Sequence, residues 1–321
     1  MQAAAMMQPT VPPEQRALAA SVREELWFGE NDPERTHLEA SRTMAAHAAV
    51  ATGLKPFPAV AQNALAVLAD PDARMKAIVE AIERDPALAS RVLRVANSAQ
   101  YRGARKCSSI NEAVVRLGSR EVHQVVASVA TMGMFQDGSG LGKRWREHLV
   151  GVAAVARILG EEHGTQIAGQ AFLAGLVHDI GKLLSLQVKE IPYETLAPKL
   201  FDHADELHVV ERILVGYDHA VLGGHVLSQW RFPETISQVA AWHHQPGRAF
   251  TEGGEVGLLV ALVRLADAVE YRVGAPLDEA YLDEVARGSA AAYLEIGTRT
   301  LVAKWPRFVE AVSDIHAVML G

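Results

Sequence analysis

Apolar residues recur along this chain at intervals of three and four, and no stretch alternates with the period of two that a half-buried strand requires. Val60, Ala61, Ala64, Leu65, Val67 and Leu68 mark one helical face, which ends at Asp70-Pro71-Asp72. Ile78 and Ile82 mark a second, over 73–84. Leu88, Val92, Leu93, Val95 and Ala96 mark the inner face of a third, opened by Asp85-Pro86. Ser108 or Ser109 caps a helix from Ile110 to Leu117, Gly118 ends it, and Ser119 opens a longer one carrying Val122, Val125, Val126 and Val129. Asp137 to Gly142 holds three glycines in six residues and reads as a break between two helical halves.

The second half reads as helices over 145–162, 167–186, 204–215, 219–229, 233–242 and 256–272, with a glycine-rich loop over 247–257. A helical tail over 277–321 places Phe308, Val312, Ile315 and Met319 on one stripe, which either covers the core or faces a partner. Ahead of all this, residues 1–13 read as a disordered tail, followed by helix-favouring segments over 14–28 and 33–51. The expectation is an all-α fold with four parts. These are an N-terminal tail and helices (1–54), a first helical subdomain (55–136), a second (143–272), and a C-terminal extension (273–321).

Composition narrows the function classes only slightly. A formal charge of −7 disfavours nucleic acid and anionic membrane as main partners, although Arg91, Arg94, Arg102 and Arg105 could still form a local basic face. The single cysteine, Cys107, excludes an internal disulfide and reads as an ordinary small apolar residue. With no secretion-signal pattern at Met1 to Pro13 and no apolar run near the ~18 residues of a membrane span, the cytoplasm is the expected compartment.

The chemistry concentrates in Leu173-Ala-Gly-Leu-Val-His178-Asp179-Ile-Gly181-Lys182-Leu-Leu184, where an apolar run carries His-Asp into the interior. A buried histidine or carboxylate without a partner loses several kcal/mol, so this pair requires each other, further polar groups or a cation. Partners of the right kind lie in apolar helical surroundings at His148, His219, His243, His244 and Asp267. Imidazole and carboxylate donors suit Fe, Mn, Zn or Mg. His148, His178, Asp179 and Asp267 would serve one cation, and His219, His243 and His244 a second, with Lys182 facing a bound anion. The competing reading is a pocket in which the same groups hydrogen-bond to one another. His123, His163, His208, His225 and His316 read as ordinary histidines.

These residues resemble the HD superfamily of metal-dependent phosphohydrolases. Pro56-Phe-Pro-Ala-Val60, Asp85-Pro86-Ala-Leu88, Arg94-Val-Ala-Asn97-Ser98, Ser109-Ile-Asn-Glu-Ala113 through Leu117-Gly118, Gly216-Tyr-Asp-His219 and His243-His244-Gln-Pro246 narrow the resemblance to the HDOD domain of bacterial signalling proteins. It covers about Lys55 to Arg272 and implies a two-part helical domain used in signal transduction and regulation. Implied partners are signalling proteins, with a small anionic ligand or a divalent metal in the pocket. The related HD-GYP group, which hydrolyses cyclic di-GMP, is similar at His148, His178, Asp179, Lys182, His219, His243, His244 and Asp267. After His244 that group continues with an acidic residue and a Gly-Tyr-Pro loop, whereas this chain reads Gln245-Pro-Gly-Arg248-Ala-Phe. The resemblance therefore implies a regulatory protein acting by protein contacts and without cyclic di-GMP hydrolysis. The alternative is a phosphohydrolase of a nucleotide or phosphodiester, with Asp179 and Lys182 in the reaction.

Overall fold

The computed structural model describes residues 57–69, 72–98, 105–135, 140–188 and 207–319. The tail, the helices expected over 14–28 and 33–51, and part of the 137–142 break lie outside the described residues. Among those described, the fold is all-α with no strand.

Among the described residues of the first half are five helices: α1 (Ala59–Ala69), α2 (Met75–Glu83), α3 (Pro86–Ala96), α4 (Ile110–Leu117) and α5 (Ser119–Met134). Their ends follow local chemistry. Asp85 accepts hydrogen bonds from the backbone N–H of Ala87 and Leu88, and Pro86, which has no N–H to satisfy, occupies the first helical position. Ser109 caps α4 through Glu112 N–H, and Glu112 reaches back to Ser108 N–H. Asn97, which closes α3, pairs its amide with both the N–H and the carbonyl of Cys107 and so clamps the two ends of the intervening segment.

The second half is arranged around α6 (Gly140–Gly160), against which α7 (Thr165–Val177) and the two later helices Gly254–Glu270 and Thr298–Met319 pack. There follow α8 (Ile180–Val188), α9 (Leu207–Val215), α10 (His219–Gln229), α11 (Glu234–Trp242), α12 (Pro246–Glu252), α13 (Gly254–Glu270), α14 (Glu279–Ala286), α15 (Ser289–Tyr293) and α16 (Thr298–Met319). Most buried apolar side chains form one cluster running from Phe57 to Ile315, with α5 seated on α7 across the two halves, and Ala96, Cys107 and Ala113 form a small second one. Phe308, Val312 and Ile315 of α16 join that core, so the C-terminal stripe covers it.

Several expected boundaries move. Gly140 and Gly142 lie inside α6 rather than in a loop, because the helix continues upstream of Trp145 and buries Gly142. The 247–257 segment is α12 and the start of α13. Pro246 opens the short helix, and Gly253, at φ 69, makes the corner between the two without a Cβ penalty. The C-terminal tail is three helices rather than one, with Gly288 capping the second and Glu295 in the left-handed region before the third. Leu93 is only partly buried. Most consequential is the expected helix over 167–186, which divides into α7 and α8 at His178-Asp179; there Lys182 N–H bonds to Asp179 C=O, one residue tighter than an α-helix.

Candidate metal centre

That division turns His178 and Asp179 toward the residues gathered by four other helices. His148 comes from α6, His219 opens α10, His243 and His244 follow α11, and Asp267 comes from α13. Close backbone approach makes the convergence possible: a Cβ on Gly181 would sit 1.9 Å from the carbonyl oxygen of His219, so α8 meets the start of α10 only because residue 181 has no side chain. Gly175, one turn before Asp179, similarly lets α7 lie on Ala153 of α6.

The donors form two groups joined at Asp179. In one, Asp179, His219, His243 and His244 each turn an atom to within 4.8 Å of the others; in the second, His148, His178 and Asp267 do the same. Asp179 Oδ1 lies 2.9 Å from His219 Nε2 and 3.3 Å from His243 Nε2. Its Oδ2 lies 3.5 Å from His178 Nε2 and 3.8 Å from His148 Nε2, and Lys182 donates to it. His148 Nε2 is 3.2 Å from Asp267 Oδ1, and His219 Nε2 is 3.0 Å from His244 Nε2. All seven residues expected as ligands, with Lys182, therefore meet in one place.

The ring orientations follow from what holds each Nδ1. His178 and His243 both terminate helices, and each Nδ1–H donates to the carbonyl three residues earlier, Gly175 at 2.8 Å and Ala240 at 2.7 Å, carbonyls that a helix end leaves free. Arg264 braces the second turn by donating to His243 C=O at 2.6 Å. His148 Nδ1 donates to Glu270 Oε2 at 2.7 Å, and His219 donates from both its backbone N–H and Nδ1 to Glu211 Oε2 at 2.8 and 2.6 Å. Arg212, beside Glu211, pairs with Asp218, which caps α10 through Val221 N–H, so two adjacent pairs tie α9 to the start of α10.

Burial and the site's carboxylates together decide which of its histidines carry charge. Burial disfavours a charged His148, yet Glu270 and Asp267 outweigh it and raise the ring to about 10. Burial opposes charge on His219 too, and Glu211 with Asp179 raises it to about 9. Burial holds His178 neutral down to about 4 and lowers His244 well below its ordinary value, with His243 and His208 adding to the effect. Although burial would raise Asp179 and Asp267, their cationic neighbours keep both below the usual carboxylate range: Lys182 and His219 for Asp179, and His148 for Asp267.

Whether a cation fits can be judged from atoms that satisfy nothing else. His178 Nε2 and His243 Nε2 are buried without a hydrogen-bond partner, and Asp179 Oδ1, although 2.9 Å from His219 Nε2, makes no aligned hydrogen bond; all three belong to the converging set. Orphaned ring nitrogens of this kind are costly, and two of them beside a carboxylate oxygen suit an ion that accepts nitrogen and carboxylate oxygen. Mutual hydrogen bonding, the competing expectation, accounts for His148 and for the His219–Asp179 contact but leaves His178 Nε2 and His243 Nε2 unused.

Three residues at the site were not singled out by sequence reasoning. Glu211 and Glu270 are the two carboxylates behind His219 and His148, and Glu270 lies three residues after Asp267, a spacing that puts both on one face of α13. His208, expected to be an ordinary core histidine, stacks on His244 with ring centroids 4.2 Å apart and planes at 14°. Burial lowers it to about 3. His316 instead bonds to Glu147 C=O, bracing α16 against α6.

Comparison with known proteins places this arrangement. A Treponema pallidum (strain Nichols) protein described only as uncharacterized is 24% identical over 224 residues, 66% of this chain and 42% of that protein, so this chain spans less than half of that relative's length. Among solved structures, an HDOD domain protein of unknown function from Geobacter sulfurreducens superposes with a TM-score of 0.68 at 22% identity, covering 90% of this chain and all of that one. A Shewanella amazonensis SB2B protein provisionally named a phosphohydrolase gives 0.67 at 24% identity, covering 83% and 95%. At these identities the likeness establishes the shared fold. The HDOD domain family itself matches residues 54–246, from before α1 to the start of α12, and the chain belongs to that family.

Proposed function

We propose that this chain is a metal-binding HDOD regulatory protein of signal transduction, acting through contacts with signalling proteins and holding divalent cations on either side of Asp179. The carrying observation is the pair of buried, unpartnered nitrogens, His178 Nε2 and His243 Nε2, turned toward Asp179 within the converging donor set. His148, His178 and Asp267 would hold one ion, His219, His243 and His244 the other, and Asp179 would be shared. When bound, such ions supply Lewis-acid polarisation of a phosphoryl oxygen and charge neutralisation. The two sides differ in access. The side chains of His219, Asp179 and His243 are 0–5% exposed, whereas His148 is 24% and Asp267 40% exposed, so a small phosphate-bearing ligand would approach from the His148 and Asp267 side.

A second reading, hydrolysis of a nucleotide or phosphodiester, is favoured by Lys182, whose ammonium sits on Asp179 beside both donor groups. Elemental analysis of the chain purified without added metal or chelator, together with turnover assays using Mn or Fe and bis(p-nitrophenyl) phosphate, tests both. Bound divalent metal that disappears in a folded Asp179→Ala variant supports the metal centre, and absence of metal under all loading conditions refutes it. Turnover abolished by Asp179→Ala would move the conclusion to the enzyme.

A further inference from the structure

Four of the five metal-facing rings are held at Nδ1, and they obtain their partners in two different ways that follow from where each sits on its helix. His178 and His243 lie at helix C-termini, where a free carbonyl three residues back is supplied by the helix itself. His148 is in the middle of α6 and His219 is the first residue of α10, so neither has such a carbonyl within reach. Each instead meets a carboxylate from another element.

We propose, resting on the metal-centre reading, that Glu270 and Glu211 are positioning residues, one for each side of Asp179, which hold His148 and His219 with Nε2 turned to the ions. An imidazole whose Nδ1–H is held by a carboxylate presents a fixed, more basic Nε2, and loss of such an outer partner weakens metal affinity about 10- to 100-fold. Glu211 is fully buried, and one of its oxygens takes both N–H groups of His219, fixing ring and backbone together.

For Glu270 the helix beneath is cut to fit. Gly151 lies one turn after His148 on α6, and a Cβ there would stand 2.4 Å from Glu270 Oε1 and 2.8 Å from its Cγ, with no other group among its three nearest contacts. A glycine in mid-helix is unfavourable relative to alanine. Its absent methyl is the space through which Glu270 reaches His148.

This gives a substitution for which structural and positioning roles have opposite consequences. Gly151→Ala should favour α6 while pushing the Glu270 carboxylate off His148, with no charge or ligand removed. The test is titration of the metal-free 321-residue chain with Co2+ in competition with a chromophoric chelator, alongside the Co2+ visible spectrum and thermal melts. Gly151→Ala, Glu270→Gln and Glu211→Gln are each expected to lower Co2+ affinity about 10- to 100-fold with an altered spectrum. Metal-free Gly151→Ala should remain folded, and Gly151→Ala/Glu270→Asp, in which the shorter acid makes room for the methyl, should recover part of the affinity. Folded Gly151→Ala and Glu270→Gln binding Co2+ as tightly as wild type would overturn the inference while leaving the metal centre intact. Failure of the wild-type chain to bind Co2+ would overturn the metal centre and this inference with it. Should Glu270→Gln fail to fold, Gly151→Ala and its partner-shortened double variant decide.

Discussion

Gly181 stands against His219 so closely that a Cβ would lie 1.9 Å from the His219 carbonyl oxygen and 2.8 Å from its Cα. Those atoms are backbone at the start of α10 and have no rotamer through which to escape. Gly181→Ala should therefore separate α8 from α10, destabilise the fold by about 1–3 kcal/mol or more, as overpacking of a tight core does, and displace His219 from Asp179. Chemical denaturation and metal content read the two consequences separately; wild-type values for both would show that the approach of these helices is not required.

The core of the first half makes a graded prediction. Val126 of α5 is fully buried, whereas Leu93 of α3 is only partly so. Val126→Asp would place an unpaired carboxylate in the apolar interior at a cost of several kcal/mol and should leave the chain unfolded. Leu93→Asp can turn its carboxylate toward solvent and should give a folded, less stable protein. Circular dichroism melts of the two variants check the order, and equal stability would contradict the burial pattern.

A pH dependence independent of the metal ligands comes from His123 on α5, whose partial burial lowers its pKa below the ordinary 6.5. The unfolded chain then takes up the proton first. The stability associated with a neutral His123 is complete above about pH 6.5 and is lost as pH falls toward the lower folded value. His123→Gln should lose less stability than wild type between pH 7 and pH 5 in the presence of a chelator. Parallel urea midpoints across that range would remove His123 as a contributor.

The segment after His244 bears on substrate. Gln245 is buried, Pro246 opens α12, and the Arg248 guanidinium lies 4.3 Å over the Trp242 ring, so this corner is filled by the chain's own side chains. Incubation with cyclic di-GMP and Mn or Fe is expected to give no appreciable hydrolysis, measured by nucleotide chromatography. Robust turnover would mean that this helix, in place of a Gly-Tyr-Pro loop, still admits the cyclic dinucleotide.

The sequence alone specified the helical fold, because the three-and-four spacing of Val122, Val125, Val126 and Val129, or of Phe308, Val312 and Ile315, has one regular backbone solution. Capping at Asp85, and at Ser108 or Ser109, was equally legible, since such a side chain acts on N–H groups two or three residues away; the structure chose Ser109. The ligand-type residues could be picked out one by one, for a His-Asp pair inside an apolar run must find partners. What only the tertiary structure decided was how they meet. The turn at His178-Asp179 is invisible in a pattern that reads helical straight through, and it depends on Gly181 lying against His219, 38 positions later. In the sequence nothing sets Glu270 and Glu211 apart from other charged helix residues. Their function as partners of His148 and His219 rests on contacts across 122 and eight residues, and on space left by Gly151, none of which has a local signature. Short-range hydrogen bonding and periodicity are written in neighbouring residues, whereas the hold on a ring nitrogen depends on which backbones can approach.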